Sequence, residues 1–489
     1  MKDNFKSMKD KMMLLVYEWK HISRQPAVWI LFFFFFVIGG YAIYSGNVLT
    51  RKKLAAIEEA KKEFAKDYHT ALKAFADTGS VDKKQQADNA GNPYVIDYRY
   101  PRIAYDRPYP LTGLAAGIKD ITPVTEKVNY YIDYAVIDRE MINPSILFEG
   151  RLDLVYVNLY LIPLLIIVLV YNTISSEKEK GISNLLIVQG GSLKRILFGK
   201  LLTRLIMVFW ASLILNALGM VLSPSGFPSA KDAFLWFFLL FSYCVLWISI
   251  GFVIISLDRN SVFSLFSCMG SWIFLLLLLP LIINKTAQWQ HPSDLKLLDL
   301  EEKDRHISDE VWAMKPKMVV GSFYRNFPGY APAYRPADTL DNQNDAFFAG
   351  YYDIKQNRMK RVIDSLWDGD KKANQTAYRL IRYNPVQSTE HLFTLLARTS
   401  RSDYSDYKQD VSDFQRRWQT YFYDRVFSIK NGKRTLSKFS PEELKKLPVF
   451  TIKHHEVRTA EFIYGMLFLW LVSIVCWAGG LLMIRKFKQ

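Results

Sequence analysis

Six stretches of this chain, 27–45, 154–171, 201–222, 233–257, 262–283 and 460–484, are almost purely apolar, and the first holds five consecutive phenylalanines, Phe32 to Phe36. A bilayer's hydrocarbon core is about 30 Å thick, which ~20 helical residues cross, so each stretch predicts a spanning helix. A charge at the centre of such a helix costs about 2.5–3.5 kcal/mol. The middle of all six is free of Asp, Glu, Lys and Arg. Mean hydropathy over the 489 residues is still only +0.01, so the remaining sequence is distinctly polar. The expected fold is an α-helical polytopic membrane protein with six transmembrane helices and two large insertions of mainly helical or mixed structure.

The net charge of +16 admits nucleic acid or a membrane surface as partner, and its placement decides between them. In residues 1–26, Lys2, Lys6, Lys9, Lys11, Lys20 and Arg24 outweigh Asp3, Asp10 and Glu18. In 172–204, Lys178, Lys180, Lys194, Arg195, Lys200 and Arg204 outweigh Glu177 and Glu179, and the tail 485–489 carries Arg485, Lys486 and Lys488. In a six-span arrangement these segments share one side, where the positive-inside rule puts the cytoplasm. Both termini are expected there. Most of the basic excess is thus explained by orientation, which leaves little case for nucleic acid.

The leader is long, and the stretch Tyr41 to Gly46 is a poor cleavage site, so the first span is expected to be retained. Within residues 12–24, Met12, Leu15, Val16 and Trp19 gather near one face, before Pro26. That pattern predicts an elbow helix lying in the interface against membrane lipid. The opposite side receives residues 46–152 and 285–458. In 52–76, Ala55, Ile57, Ala60, Phe64 and Tyr68 fall at helical spacing, so the first span should continue outward as one helix. Short Tyr/Pro-rich runs then predict loops and extended pieces. Three helices are expected in the second insertion, at 341–367, 387–398 and 402–427. Tyr404, Tyr407, Val411, Phe414, Trp418 and Phe422 form an aromatic stripe along the last, best read as a core face. Cys244, Cys268 and Cys476 all lie in apolar windows, so neither insertion has a cysteine for disulfides.

Several chemistries are excluded by what is missing. A phosphate-cradling G-x-x-x-x-G-K-[ST] loop is approached only at Gly199-Lys200, where Lys194 replaces the first glycine and Leu201 the hydroxyl. Of the seven histidines only His454-His455-Glu456 cluster, and neighbours on an extended strand point to opposite faces, so no metal site is expected. No G-x-S-x-G nucleophile signature occurs, and spans without ionisable residues argue against ion coupling. No catalytic residue and no cofactor of the chain's own is expected.

The informative segment follows the second span. Glu177, Glu179 and Gly181 are followed by Leu185 and Leu186, then by Ser192, Arg195 and Gly199-Lys200. A charged exit, a turn at Gly181 and a short helix presenting two leucines could transmit a push from a cytoplasmic partner. A plain loop anchored to headgroups is the simpler alternative. The pattern resembles the E-x-E-x-G…LL…S-R…LGK loop of the permease subunits of export-class ABC-2-type transporters, with Ile182-Ser183-Asn184 departing from it. The resemblance implies a coupling helix in 172–200, with Glu177, Glu179, Gly181, Leu185, Leu186 and Arg195 as the residues that engage the ATPase. It also implies ATP and Mg in a separate nucleotide-binding subunit and a second permease copy or related permease as partner. Asn384-Pro385, Leu392 to Ala397, Asp403-Tyr404 and Arg416-Arg417 further resemble a bacterial subgroup with an uncharacterised periplasmic domain before the last span. That subgroup's usual histidines are replaced by Ser405-Asp406-Tyr407-Lys408.

The expected function is an exporting permease in the inner membrane of a Gram-negative bacterium. Its insertions form a vestibule or a docking surface for a periplasmic or outer-membrane partner. The alternative is a mechanotransmitter that drives an envelope partner without moving cargo. A membrane-anchored receptor or enzyme with periplasmic catalysis comes third.

Overall fold

The computed structural model describes residues 15–76, 89–100, 102–131, 152–173, 175–179, 193–290, 297–452 and 458–486. Helix α1, Pro26–Ala76, opens on a proline, which suits the first helical position. It runs unbroken for 51 residues, about 77 Å at 1.5 Å per residue. The first span and the Ala/Lys/Glu-rich stretch after residue 52 are therefore one rod. In chain order there follow α2 (Pro93–Arg99), β1 (Arg102–Tyr105), β2 (Thr125–Val128), α3 (Leu154–Val170), α4 (Ser175–Glu179), α5 (Leu193–Val221), α6 (Ala230–Ile255) and α7 (Ser261–Ile273). A π turn over Phe274–Leu278 joins α7 to α8 (Leu279–Gln290). Then come α9 (Leu297–Trp312), α10 (Pro316–Asn326), α11 (Asp345–Ile381), α12 (Pro385–Ala397), α13 (Arg401–Val426), β3 (Ile429–Lys430), β4 (Lys433–Arg434), α14 (Pro441–Lys445) and α15 (Thr459–Lys486).

Five of the described helices are long and apolar enough to cross a membrane: α1, α5, α6, the α7–α8 pair and α15. The expected second span, α3, is apolar except for Asn158 but has 17 residues, about 25 Å. By length it falls short of the other five. The centre of the bundle is α6, with 72% of its apolar window buried against 17% for α7–α8 and 22% for α15. Pro280 explains the π turn, because it lacks the N–H that would bond back along the helix, and the preceding turn widens to adapt.

Helix α12 shows where the sequence reading was incomplete. Its limits agree with the expected 387–398, but it packs mainly with the spans and only slightly with the rest of its insertion. Val386, Leu392, Phe393, Leu395 and Leu396 are buried in the same core as the spans. The Phe393 ring lies 4.6 Å from that of Trp236 on α6. Asn384 caps α12 by accepting the Val386 N–H at 3.0 Å, and its amide donates to the Leu275 carbonyl in the π turn at 2.9 Å. The first insertion closes the same end, where Leu111, Leu114 and Ala115 enter that core. Gly46 of α1 and Gly113 meet so closely there that a Cβ on Gly46 would lie 1.7 Å from the Gly113 carbonyl oxygen.

Beyond this end the insertions share an aromatic core. β1 and β2 pair antiparallel, Arg102 opposite Val128, and β3 and β4 form a short hairpin. All six residues of the α13 stripe are buried, as a core face requires. Trp418 donates to Asp97 at 2.6 Å, and Phe422 stacks on Tyr130 at 4.3 Å. Helices α9 and α10 were not anticipated. Val319, Val320 and Phe323 become buried only in the assembled body, between α11 and the rings at the end of α13. The α10–α11 crossing is tight because Gly350 admits the Val319 carbonyl, which a Cβ would meet at 2.5 Å.

Candidate functional site: the basic end of the bundle

At the end of the bundle opposite the insertions, the chain leaves α3 through Thr173, whose hydroxyl donates to the Val170 carbonyl at 2.7 Å. The five-residue helix α4 then runs alongside the turn between α6 and α7. Asp258 makes that turn with φ of 56°, a left-handed conformation that Asp tolerates better than most residues. Three contacts tie the two segments together. Ser175 Oγ donates to the Arg259 carbonyl at 3.1 Å. Lys178 pairs with the Asp258 carboxylate. The Ser261 N–H donates to Glu179 Oε1 at 3.1 Å, so an acidic side chain sits at the N-terminus of α7, where the helix dipole favours it. Asn260 completes the cap by accepting the Phe263 N–H at 2.9 Å.

Of the residues that the resemblance singled out, Glu179 is thus placed in a defined contact. Glu177 lies on α4 and Arg195 in the first turn of α5. Gly181, Leu185 and Leu186 lie outside the described residues, as does the His454-His455-Glu456 cluster.

A second group was missed. Helical residues 15–23 precede α1, with Val16, Tyr17 and Trp19 exposed on one side, as a helix lying on lipid would present them. Glu18 turns inward instead. Its carboxylate lies 3.7 Å from Lys200 Nζ and 3.7 Å from an Arg204 terminal nitrogen, with all three side chains 8% exposed. Arg204 also donates to the Leu169 carbonyl at 2.7 Å and to the Lys200 carbonyl at 2.8 Å. Leader, α3 and α5 are therefore locked by one buried charge cluster. Lys200 and Arg204 count as loop charges when sequence is tallied, yet their i,i+4 spacing on α5 puts both on one face. The single acidic residue of the elbow was the available signal. Lys200, the only approach to a phosphate-loop lysine, points at Glu18.

Deeper in the bundle is a polar network that the hydropathy windows conceal. Asn158 and Asn216 exchange amide hydrogen bonds at 2.9 and 3.2 Å, and Trp236 Nε1 donates to Asn216 Oδ1 at 2.9 Å. All three residues are fully buried. Among the described residues no group of three His, Cys, Asp or Glu side chains could hold a metal ion.

The basic end therefore offers contacts between helix ends and a buried charge lock, an arrangement suited to passing on movement. Residues 12–320, well over half of the chain, match the family model described as ABC-2 family transporter protein. No curated protein and no solved structure matches. The family implies an ABC ATPase as a partner subunit. The chain, a mostly helical polytopic membrane protein, belongs to the ABC-2 transporter family.

Proposed function

We propose that the chain is the permease half of an exporter in the inner membrane of a Gram-negative bacterium, with both termini cytoplasmic. A separate ATPase binds ATP and Mg, and two permease copies, or this chain with a related permease, complete the pathway. The observation that carries this reading is the brace between α4 and the α6–α7 turn. A push on residues 180–192, where Gly181, Leu185 and Leu186 lie, reaches α3 through the chain and α7 through Glu179 and Lys178. The buried Glu18–Lys200–Arg204 lock makes the leader and α5 move with them. The sparsely buried α7–α8 and α15 have faces to offer lipid or a second copy.

The test is a mild-detergent pull-down of the tagged chain, with mass spectrometry of what accompanies it. A stoichiometric P-loop ATPase is expected, lost or uncoupled in Glu179→Lys and Gly181→Pro variants that still insert. Wild-type ATP-driven export from both variants would end this reading.

A second reading is favoured by the seating of α12. A helix from an insertion, buried among the spans and bonded to the π turn, carries bundle motion directly into the outer body. Here the chain works as a mechanotransmitter acting on an envelope partner. ATP-dependent rearrangement of the insertions in proteoliposomes, with no substrate flux, would favour it over export.

A further inference from the structure

Helices α10 and α11 cross tightly at Gly350, and between them, bordered also by Met314, lies an open groove of about 550 Å³. That volume falls in the range of small-ligand pockets, roughly 300–1,000 Å³. One wall carries Lys317, Met318, Gly321, Ser322 and Arg325 at successive turns of α10. The other carries Ile354, Asn357, Arg358 and Arg361, spaced i, i+3, i+4 and i+7 on α11. The lining holds four cations and no carboxylate.

The nearby acids are already engaged. Glu310 takes Arg358 at 2.9 Å, and Asp353 accepts from the Asn326 and Asn357 amides at 2.6 and 3.0 Å. Arg325 and Arg361 are each tethered through Nε to a carbonyl of their own helix, Gly321 at 3.2 Å and Asn357 at 3.3 Å. Among the described residues their terminal nitrogens and Lys317 Nζ have no acceptor. A guanidinium held by Nε presents its remaining donors in a fixed fork, which suits phosphate or carboxylate oxygens. Between the cations lie Ile354, Met314 and Met318, the last 56% exposed. Methionine thioethers adapt to irregular apolar ligands.

From this geometry we infer that the α10–α11 groove binds an anionic amphiphile, with a phosphate or carboxylate head on Arg325, Arg361 and Lys317 and an apolar body on Met314, Met318 and Ile354. Arg358 stands 23 residues before Ile381, the end of α11, which is about 35 Å along the helix from its junction with the bundle. At that distance from Ile381 the ligand is expected from the aqueous phase or from a carrier.

The test is calorimetric titration of the full chain in phosphatidylcholine nanodiscs, with empty discs as reference. Octyl phosphate is expected to bind saturably. Inorganic phosphate should bind about tenfold more weakly, since ~1.4 kcal/mol of apolar contact is a factor of ten. Octyltrimethylammonium should not bind. The Arg325→Gln/Arg361→Gln double variant should lose about tenfold or more in affinity, with Arg→Lys at both sites intermediate and Met318→Ser losing about threefold. All these residues are surface-lining, and an unchanged circular dichroism spectrum checks the fold of each variant. Equal octyl phosphate binding by the double variant, or binding no stronger than to empty discs, would overturn the proposal. Inorganic phosphate binding as tightly as octyl phosphate would overturn the amphiphile. A hexaglutamate peptide binding more tightly than octyl phosphate would reassign the groove to an acidic partner protein.

Discussion

The bundle and the insertion body solve the same packing problem with different means. In the bundle, apolar side chains face one another much as they would face lipid, so burial alone gives little preference for helix–helix contact. Its specificity rests on close backbone approach at Gly46–Gly113, on the Asn158–Asn216–Trp236 network and on the charge lock at the basic end. The insertion body faces water without a cysteine to staple it. It relies on interlocked rings around Phe323, with Phe427 at 4.8 Å and Tyr423 at 5.4 Å, and on buried pairs such as Arg434–Asp338 at 2.7 Å. The difference suggests that a large truncation should be costly in the outer body, while a small polar deletion should be the informative lesion in the bundle.

Three measurements would break or sharpen that contrast. The largest effect is expected from Trp418→Ala, which empties a fully buried site and leaves Asp97 without its 2.6 Å donor. Such a change typically costs about 3–5 kcal/mol, read as protease sensitivity of the insertion body while the spans stay inserted. If bundle and body unfold together instead, the two regions are one cooperative unit. A smaller effect is expected from Asn216→Leu, which deprives both Asn158 and Trp236 of a partner. Intramembrane hydrogen bonds are worth about 0.6–2 kcal/mol each, so denaturant unfolding should shift modestly, and an added Asn158→Leu should recover part of the loss.

The third measurement is pH dependence confined to the body. Burial pushes the Asp97 carboxyl up from 3.8 to about 7, outweighing hydrogen bonds from Trp418 and Tyr130 and the nearby Arg102. Between those two values the folded state holds a proton that the unfolded chain has released. The stabilisation is fully present below about pH 4 and is lost as pH rises through 7. The body should thus melt higher at pH 5 than at pH 8, and Asp97→Asn should flatten this component in differential scanning calorimetry. A slope unchanged in that variant would assign the dependence elsewhere.

Much of this was legible in the sequence, for identifiable reasons. The long spans follow from hydropathy, the length of α1 from Ala/Lys/Glu periodicity, and the α13 core from ring spacing. What stayed hidden depends on contacts between distant segments. Helix α12 is recognisable as a helix, but its burial against Trp236 and Leu275 needs both partners in place. Lys200, Arg204 and Glu18 look like solvated charges until α5 and the leader are brought together. Glu179 was singled out by motif, while its partner, the Ser261 N–H, carries no side-chain signature at all.

The Gly46–Gly113 contact gives α1 a mechanical meaning. About 30 Å of the helix lies before that point and about 45 Å beyond it, at 1.5 Å per residue. A rod pivoting there is a lever whose far arm is about half again as long as its near arm. A 5° tilt would move the near end by about 2.6 Å and the far tip by about 4 Å. If α1 tilts there, only a glycine at position 46 leaves room for the movement, because any other side chain would jam against the Gly113 carbonyl.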